Sequence, residues 1–592
     1  MINLCAGYPR LHYSDMKKMR KVILCLFATL LPVGVFAAAD IDVLSDGDEN
    51  LYTQIFMLQD ADKLTAAQKL EHQLESPILM NEVLYQRYFS KYYHTKGVEV
   101  AAWMKKYNDM PGAARMEKLS KLKKVSVQSA KVPNMLTGGL SIESVQSETW
   151  TAKQYSGAVE KNIKKFKKAI RSGSTKVARR ILEDKSFKNK LSESDYGRLS
   201  GRLAYVYYTN GEYELAKKWG FVSSDAESEY GLWTMGLLYF KEEKFEESEK
   251  YFSGILKLKQ INNARKTEAA FWAGRAADAY GNSDTARDYW KIAATHPMAF
   301  YGALASTMLG NVPEYEFFEQ ELTEDDIEEI RKNKYGKIAL ALLQINRKER
   351  AEQYLKYMLT PKVSDRTLHA IDSVATKYGL PRVAILASGI IQDRGILEID
   401  DDVIYSAQYP LPDWEPMGGW SIDRALLLAI TKQESGFRTN VKSNAGANGL
   451  MQIMPSTAKR VARANKVKMS DIDMSNPEHN MFLGQQYIVD LLMHPNINNN
   501  IIKMLIAYNA GMGSLVKFEK SFNTYDPLLY IESFPAYETR GYIKRVMANL
   551  WLYRAKLGQP LTTLKVMADS EWPMYNSEDE YVRENLNNRR EI

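Results

Sequence analysis

Three times between Tyr207 and Tyr289 the chain spells the same helical hairpin, and that repeat restricts it to one kind of architecture. Tyr207 and Tyr208 end one helical pattern, Asn210-Gly211-Glu212 turns, and Ala216 with Trp219 continues on a second helix. Leu238, Tyr239 and Phe240 end the next, Lys244-Phe245 follows the turn, and Ser248 with Tyr251 repeats the small-then-aromatic pair. Trp272, Ala273 and Ala276 lead to Gly281-Asn282, then Ala286 and Tyr289. The small residue recurs at 216, 248 and 286, intervals of 32 and 38 residues, within the period range of stacked helical hairpins. A small residue lets two helices approach, the aromatic fills the space beside it, and the stack curves into a solenoid. The repeat's Tyr and Trp residues read as interhelical packing. Apolar residues three and four apart extend the helical reading from about residue 50 to 400.

At 592 residues the chain is too long for one core, and about three or four units are expected. The net charge of +7 is spread along the chain. It suits a solvated surface or attraction to an anionic polymer such as peptidoglycan. No dense basic stripe is interleaved with aromatics, which argues against nucleic acid as a partner. Lys17, Lys18, Arg20 and Lys21 precede an apolar run from Val22 to Phe36, then Ala37, Ala38 and Ala39. That order reads as a secretory signal peptide over residues 1–39, cleaved after Ala37 or Ala39, with no stable membrane span after processing. Both cysteines, Cys5 and Cys25, precede the cleavage site. Bulky Leu24 stands before Cys25 where lipidation wants a small residue. The seven histidines form no helical pair spaced for a metal, so neither metal nor other cofactor is expected.

Residues 117–160 are the least regular part and read as a long connection within the helical region, 40–408. A boundary falls at Tyr409-Pro410-Leu411-Pro412, which opens a second domain over 409–560, and an acidic tail, 561–592, follows. Ser421 to Gln433 reads as a helix with Ser421 near its start, and Glu434 falls at its end, just before Gly436. A carboxylic acid there is half in the core and half in a cleft. Burial disfavours its charged form and raises its pKa, as a general acid working near neutral pH requires. The Gly446–Gly449 turn allows backbone to approach a ligand closely. Gln452 adds amide hydrogen-bonding capacity and Met451 an apolar wall.

Four blocks then occur in order: Glu434-Ser435, Gly449-Leu450-Met451-Gln452, Ala507-Tyr508-Asn509-Ala510-Gly511 and Glu538-Thr539-Arg540-Gly541-Tyr542. Together they resemble the lysozyme-like domain of soluble lytic murein transglycosylases, over roughly residues 410–560. Phe300-Tyr301-Gly302 and the Trp272–Ala276 helix look, more loosely, like the helical superhelix of that family. The resemblance implies a mainly α fold: an N-terminal superhelical solenoid of TPR-like hairpins, followed by a lysozyme-like, mostly helical catalytic domain. It implies Glu434 as catalytic acid/base, Ser443 near the acetamido and glycosidic region, and Met451 and Gln452 against the glycan. Tyr508 and Asn509 would form the cleft wall, and Tyr542 would hydrogen-bond near Glu434. The expected partner is the peptidoglycan glycan strand in the periplasm. The solenoid offers a surface for proteins of cell-wall synthesis or of secretion machinery.

No second carboxylate stands out in a matching block as the partner that ordinary glycosidases use. One carboxyl group suffices if the sugar supplies its own nucleophile, and the resemblance implies a 1,6-anhydromuramoyl product. Two other readings remain open in the sequence. One is goose-type lysozyme chemistry, which cuts the same bond with water. The other is a non-catalytic peptidoglycan-binding scaffold, against which an intact Glu434 and four intact blocks argue.

Overall fold

Each hairpin read from the sequence is present. In the computed structural model, which describes residues 41–136, 155, 157–259, 261–396, 403–580 and 582, helices Glu193–Thr209 and Tyr213–Asp225 pair first. Glu229–Lys241 with Phe245–Leu256 and Asn263–Ala279 with Ser283–Ala294 follow, each helix packing on the next. Ala216, Ser248 and Ala286 are fully buried. The Ser248 hydroxyl donates to the Gly236 carbonyl of the preceding helix at 2.9 Å. A Cβ on Gly274 would lie 2.5 Å from the Trp290 indole nitrogen. Larger residues at these positions would push the helices apart. The expected leader, 1–39, and the stretch 137–154 of the irregular connection lie outside the described residues. The flanks of that connection are helical: Ala113–Leu122 runs into it and Gly157–Arg171 leaves it.

The helical path closes on its own beginning. Helices Asp46–Asp60 and Met80–Phe89 are joined by side-chain bonds to Lys334–Gln344 and Lys348–Met358. The Gln344 side-chain carbonyl accepts from the backbone of Val43 and Leu44 at 3.0 and 2.9 Å. Tyr354 donates to Glu82 at 2.6 Å, and Arg347 pairs with Asp60 at 2.7 Å. Two three-residue strands, β1 (Glu316–Phe318) and β2 (Val403–Tyr405), pair in parallel with Phe317 opposite Ile404.

Beyond Tyr409 the main elements are the helices Arg424–Ser435, Pro455–Ala464, Pro477–Leu492, Ile501–Ala510, Pro527–Ser533 and Tyr537–Lys556. The last of these packs against Arg424–Ser435 and also reaches the superhelix helix Phe300–Met308. Phe300 stacks on Trp551, ring centroids 5.3 Å apart and 10° from parallel. Lys544 reaches Glu268 of the superhelix and bonds Glu532 at 3.0 Å. Tyr301 donates to the same Glu532 oxygen at 2.6 Å, and Arg275 pairs with Asp526 at 2.8 Å. Burial opposes the Lys544 charge, but Glu268 and Glu532 outweigh it and hold the ammonium protonated.

The first helix of this region begins at Arg424, three residues later than the sequence pattern indicates. Ser421 does not cap it. Its backbone donates to Gln485 at 2.9 Å, and its hydroxyl accepts from Gln486 at 3.1 Å. Asp423 precedes the helix, fully buried, and its carboxylate pairs with Arg554 at 3.3 Å. The same carboxylate accepts from the Glu578 backbone at 3.0 Å and from Ser577. The acidic tail is therefore tied into the fold through residue 580. It adds the helix Thr562–Ala568 and places Trp572 edge-on against Tyr530.

Replacing Glu532 with Ala leaves Tyr301 and Lys544 short of a buried acceptor. Breaking a buried pair from one side costs about 3–5 kcal/mol. We expect Glu532→Ala to lower the denaturation midpoint accordingly. A shift within error of zero would show that this network does not hold the two halves together.

Candidate active site

Glu434 sits in the last turn of Arg424–Ser435, whose apolar residues Ala425, Leu426, Leu428 and Ala429 are buried. Gly436, at φ +55°, ends the helix, and Phe437, at φ +61°, continues the left-handed turn with its ring buried near Trp414. The sequence pattern had marked this stop. Half-buried there, Glu434 is pushed up to about 7. Burial is the main cause; the Tyr542 hydroxyl opposes the rise and the charge of Glu538 adds to it. The negative end of the helix dipole acts in the same direction as burial. Near neutral pH the group is divided between acid and carboxylate, the poise that a single residue needs to give a proton and then take one back.

Tyr508 and Tyr542 lie beside it. Both phenols are pushed well above their ordinary value, first by burial and next by the Glu434 charge. They stay neutral donors. The Tyr508 hydroxyl donates to the Met451 carbonyl at 2.8 Å, and its ring lies 5.3 Å from that of Tyr487. The Tyr542 hydroxyl is close enough to lower the Glu434 pKa, yet it closes no full hydrogen bond with any protein atom. The expected bond to Glu434 is thus present as proximity, with the donor left uncommitted. Beside Glu434, Gln433 accepts from Arg545 at 2.9 Å. Arg545 is one turn past Tyr542, so this contact ties the two helices together at the acid.

The loop Val441–Met454 is braced by its own polar groups. The Ser443 hydroxyl accepts from the Ala447 backbone at 3.0 Å. The Gln452 amide donates to the Gly449 and Val441 carbonyls at 2.8 and 3.3 Å, with its own backbone at φ +48°. Met451 is fully buried, its sulfur packed so tightly on Gly484 that a Cβ there would lie 2.0 Å away. It presents no surface to a cleft. Asn509 is half-exposed and accepts from Thr539 at 2.7 Å, which joins the third and fourth blocks.

Sequence reasoning missed the residue on which the loop hangs. Asn480, fully buried on Pro477–Leu492, accepts from the Met451 backbone at 2.9 Å and donates to the carbonyls of Asn448 and Met474 at 3.2 and 2.9 Å. Gly449, at φ +74°, passes so close that a Cβ would lie 2.1 Å from the Asn480 amide. Nothing in the spacing around Asn480 signals this.

A half-buried acid with a raised pKa at a helix end, two phenols beside it and a braced glycine loop make up the candidate site. Residues 415–531 match the family model described as the transglycosylase SLT domain, so this segment is similar to SLT domains. The fourth block, 538–542, lies just past that match. The soluble lytic murein transglycosylase of Salmonella typhimurium is 38% identical over 162 residues, which are 26% of this chain and 24% of that one. The one from Escherichia coli K12 is 36% identical over 157 residues, with the same shares. The matched segment thus spans about a quarter of these relatives. The fold match is wider. The crystal structure of the 70 kDa soluble lytic transglycosylase of Escherichia coli superposes with a TM-score of 0.51 at 16% identity, over 90% of this chain and all of that one. A complex of the 70 kDa enzyme with bulgecin A gives 0.52.

Glu434 is more basic folded than unfolded, so folding favours its protonated form. That contribution is complete below the ordinary carboxylate range and is lost as pH rises through about 7. Glu434→Gln removes the penalty of burying the charge. The variant is expected to melt above the wild type at pH 8–9 by the equivalent of about 1–3 kcal/mol, with a smaller gap at pH 5. A gap independent of pH would contradict the raised pKa.

Proposed function

We propose that the chain is a periplasmic lytic transglycosylase that cleaves the β-1,4 bond between MurNAc and GlcNAc of peptidoglycan and leaves a 1,6-anhydromuramoyl end. The observation that carries this reading is the single carboxyl group, Glu434, raised to about 7 inside a segment similar to SLT domains. Its protonated form gives its proton to the glycosidic oxygen as the bond to C1 breaks and an oxocarbenium-like centre develops. The carboxylate then removes the proton of the muramic acid C6 hydroxyl, whose oxygen closes on C1. No water enters, and Glu434 ends protonated.

Tyr542, neutral and uncommitted, donates toward the carboxylate in the second half of the cycle. On this reading Asn509, Gln452 and Ser443 supply polar groups to the glycan, and Tyr508 sets the loop through the Met451 carbonyl. Met451 acts from within the core. The relatives named for soluble murein transglycosylase activity support peptidoglycan as substrate, and a substrate confined to the cell wall supports export by the segment 1–39. Among the described residues no helix is long and apolar enough to cross a membrane.

The competing reading, hydrolysis by the same acid, requires a base for water. Glu538 is the carboxylate whose charge reaches Glu434, although it is exposed. Mass spectrometry of purified glycan strands digested by the protein separates the two. The expected disaccharide product is lighter by one water than the hydrolytic one, and Glu434→Gln is expected to lose about 10²–10⁴-fold in rate while staying folded. Hydrated ends alone would replace the transglycosylase reading with a lysozyme one.

Tyr542→Phe keeps the ring packing and removes the group that pulls the Glu434 pKa down. The acid then stays protonated to higher pH, so the alkaline limb of the kcat/KM profile moves upward. The rate falls on the order of ten- to a thousand-fold, with little change in melting. A fully active variant with an unmoved limb would make Tyr542 a packing residue only.

A further inference from the structure

The surface where the start of the chain meets the later helices holds a cavity of about 490 Å³, in the size range of small-ligand sites. It is lined by the helices Asp46–Asp60, Met80–Phe89 and Ala113–Leu122 on one side and by Leu342, Arg347 and Arg350 on the other. It lies on elements that carry none of the SLT residues.

Several of its charges are already matched. Arg347 pairs with Asp60 at 2.7 Å, and Arg350 is held between both oxygens of Glu82. Three further charges close no ion pair among the described residues, although Lys91 lies within the field of Asp62. Arg115 lies over the Phe89 ring at 4.0 Å and Lys91 over Tyr92 at 4.8 Å, and neither makes an ion pair among the described residues. Asp62 on the same rim makes none either. In the lining, Gln59 is only 4% exposed, and neither its amide nitrogen nor its amide oxygen has a hydrogen-bond partner. A buried primary amide with both atoms unpaired is costly to keep. Its donor and acceptor, side by side, are complementary to the N–H and C=O of one extended residue, which belong to two adjacent trans peptide groups and point to the same side.

We propose that this cavity binds a short peptide with a free terminal carboxylate. The carboxylate is received by Arg115 and Lys91, and Gln59, whose amide atoms are covered in the empty cavity, turns to pair with the N–H and C=O of one ligand residue. Asp62 faces an ammonium, and the walls formed by Phe56, Tyr85 and Phe89 cover the apolar edges. Arg115 is suited to the carboxylate because a planar guanidinium stacked on an aromatic ring is held in orientation before the ligand arrives.

Two sources offer this chemistry, peptidoglycan stem peptides and ordinary peptides, and the probes separate them. Isothermal titration of the full chain would use the tripeptide L-Ala-γ-D-Glu-L-Lys, its α-linked all-L counterpart, and each with an amidated C-terminus. We expect saturable binding of at least one free tripeptide, weakened tenfold or more by C-terminal amidation, by Arg115→Ala and by Gln59→Leu. Tighter binding of the γ-linked peptide assigns the cell wall as source, and tighter binding of the α-linked one assigns ordinary peptides. Gln59→Leu removes two unpaired polar atoms without changing much volume, and Arg115 is exposed, so both variants are expected to fold. Glu434→Gln should bind as the wild type does, which separates this site from the chemistry at the SLT domain. Absence of saturable binding by either tripeptide, or undiminished binding in both cavity variants, would overturn the proposal.

Discussion

The buried contact of Lys544 with Glu532 and Glu268 sets the geometry on which the candidate site depends. Lys544 and Tyr542 are two residues apart on one helix and so point to nearly opposite faces. Fixing the ammonium between two carboxylates from different parts of the chain fixes the rotation of that helix, and with it the direction of Tyr542. A buried ion pair is a poor source of net stability, because desolvation offsets most of the attraction. Its value here is in register: the helix cannot turn or slide without stranding a charge. Tyr301 on Glu532, Arg275 on Asp526 and Phe300 on Trp551 repeat the constraint at three further points along the same seam.

The helix that carries Glu434 is likewise held from outside. At its start, Asp423 is bound by Arg554 and by Ser577 and Glu578 of the tail. Near its end, Gln433 is held by Arg545. Arg554 and Arg545 both belong to Tyr537–Lys556, so one helix grips both ends of the other. The acid is thereby placed at a depth where its charge is disfavoured, and relaxation outward, which would restore an ordinary pKa, is blocked. The loop opposite is treated in the same way, with Asn480 holding three backbone groups that would otherwise be unpaired.

What the sequence made legible follows from the range of the interactions involved. The hairpins are written in local periodicity and in glycine turns such as Gly211 and Gly281, so their order was readable and the structure repeats it. Gly436 marked the stop that puts Glu434 at a helix end for the same local reason. The start of that helix was misread because Ser421 has the chemistry of a cap, but its backbone and hydroxyl are taken by Gln485 and Gln486, more than sixty residues away. The tail shows only an acidic composition in the sequence, whereas its anchor is a buried aspartate about 150 positions upstream. The return of residues 41–136 onto Lys334–Met358 leaves no local trace at all, since it rests on single side chains, such as Gln344 and Arg350, that look like ordinary surface residues in the sequence.

The same distinction explains why the four motif blocks say more about position than about contact. Three of the residues singled out in them spend their polar groups on the protein. Gln452 holds Gly449, Tyr508 holds Met451, and Asn509 receives Thr539. Met451 gives its side chain to the core beneath Gly484. A site that must stabilise a short-lived charge gains more from groups that are already fixed than from groups free to reach for the ligand, because no reorganisation is then needed as the bond breaks. Tyr542 is the exception that fits the rule. It is locked by packing on every side, and its hydroxyl has no partner other than Glu434 among the described residues. A donor held in place but unspent is what a carboxylate that appears only during the reaction requires.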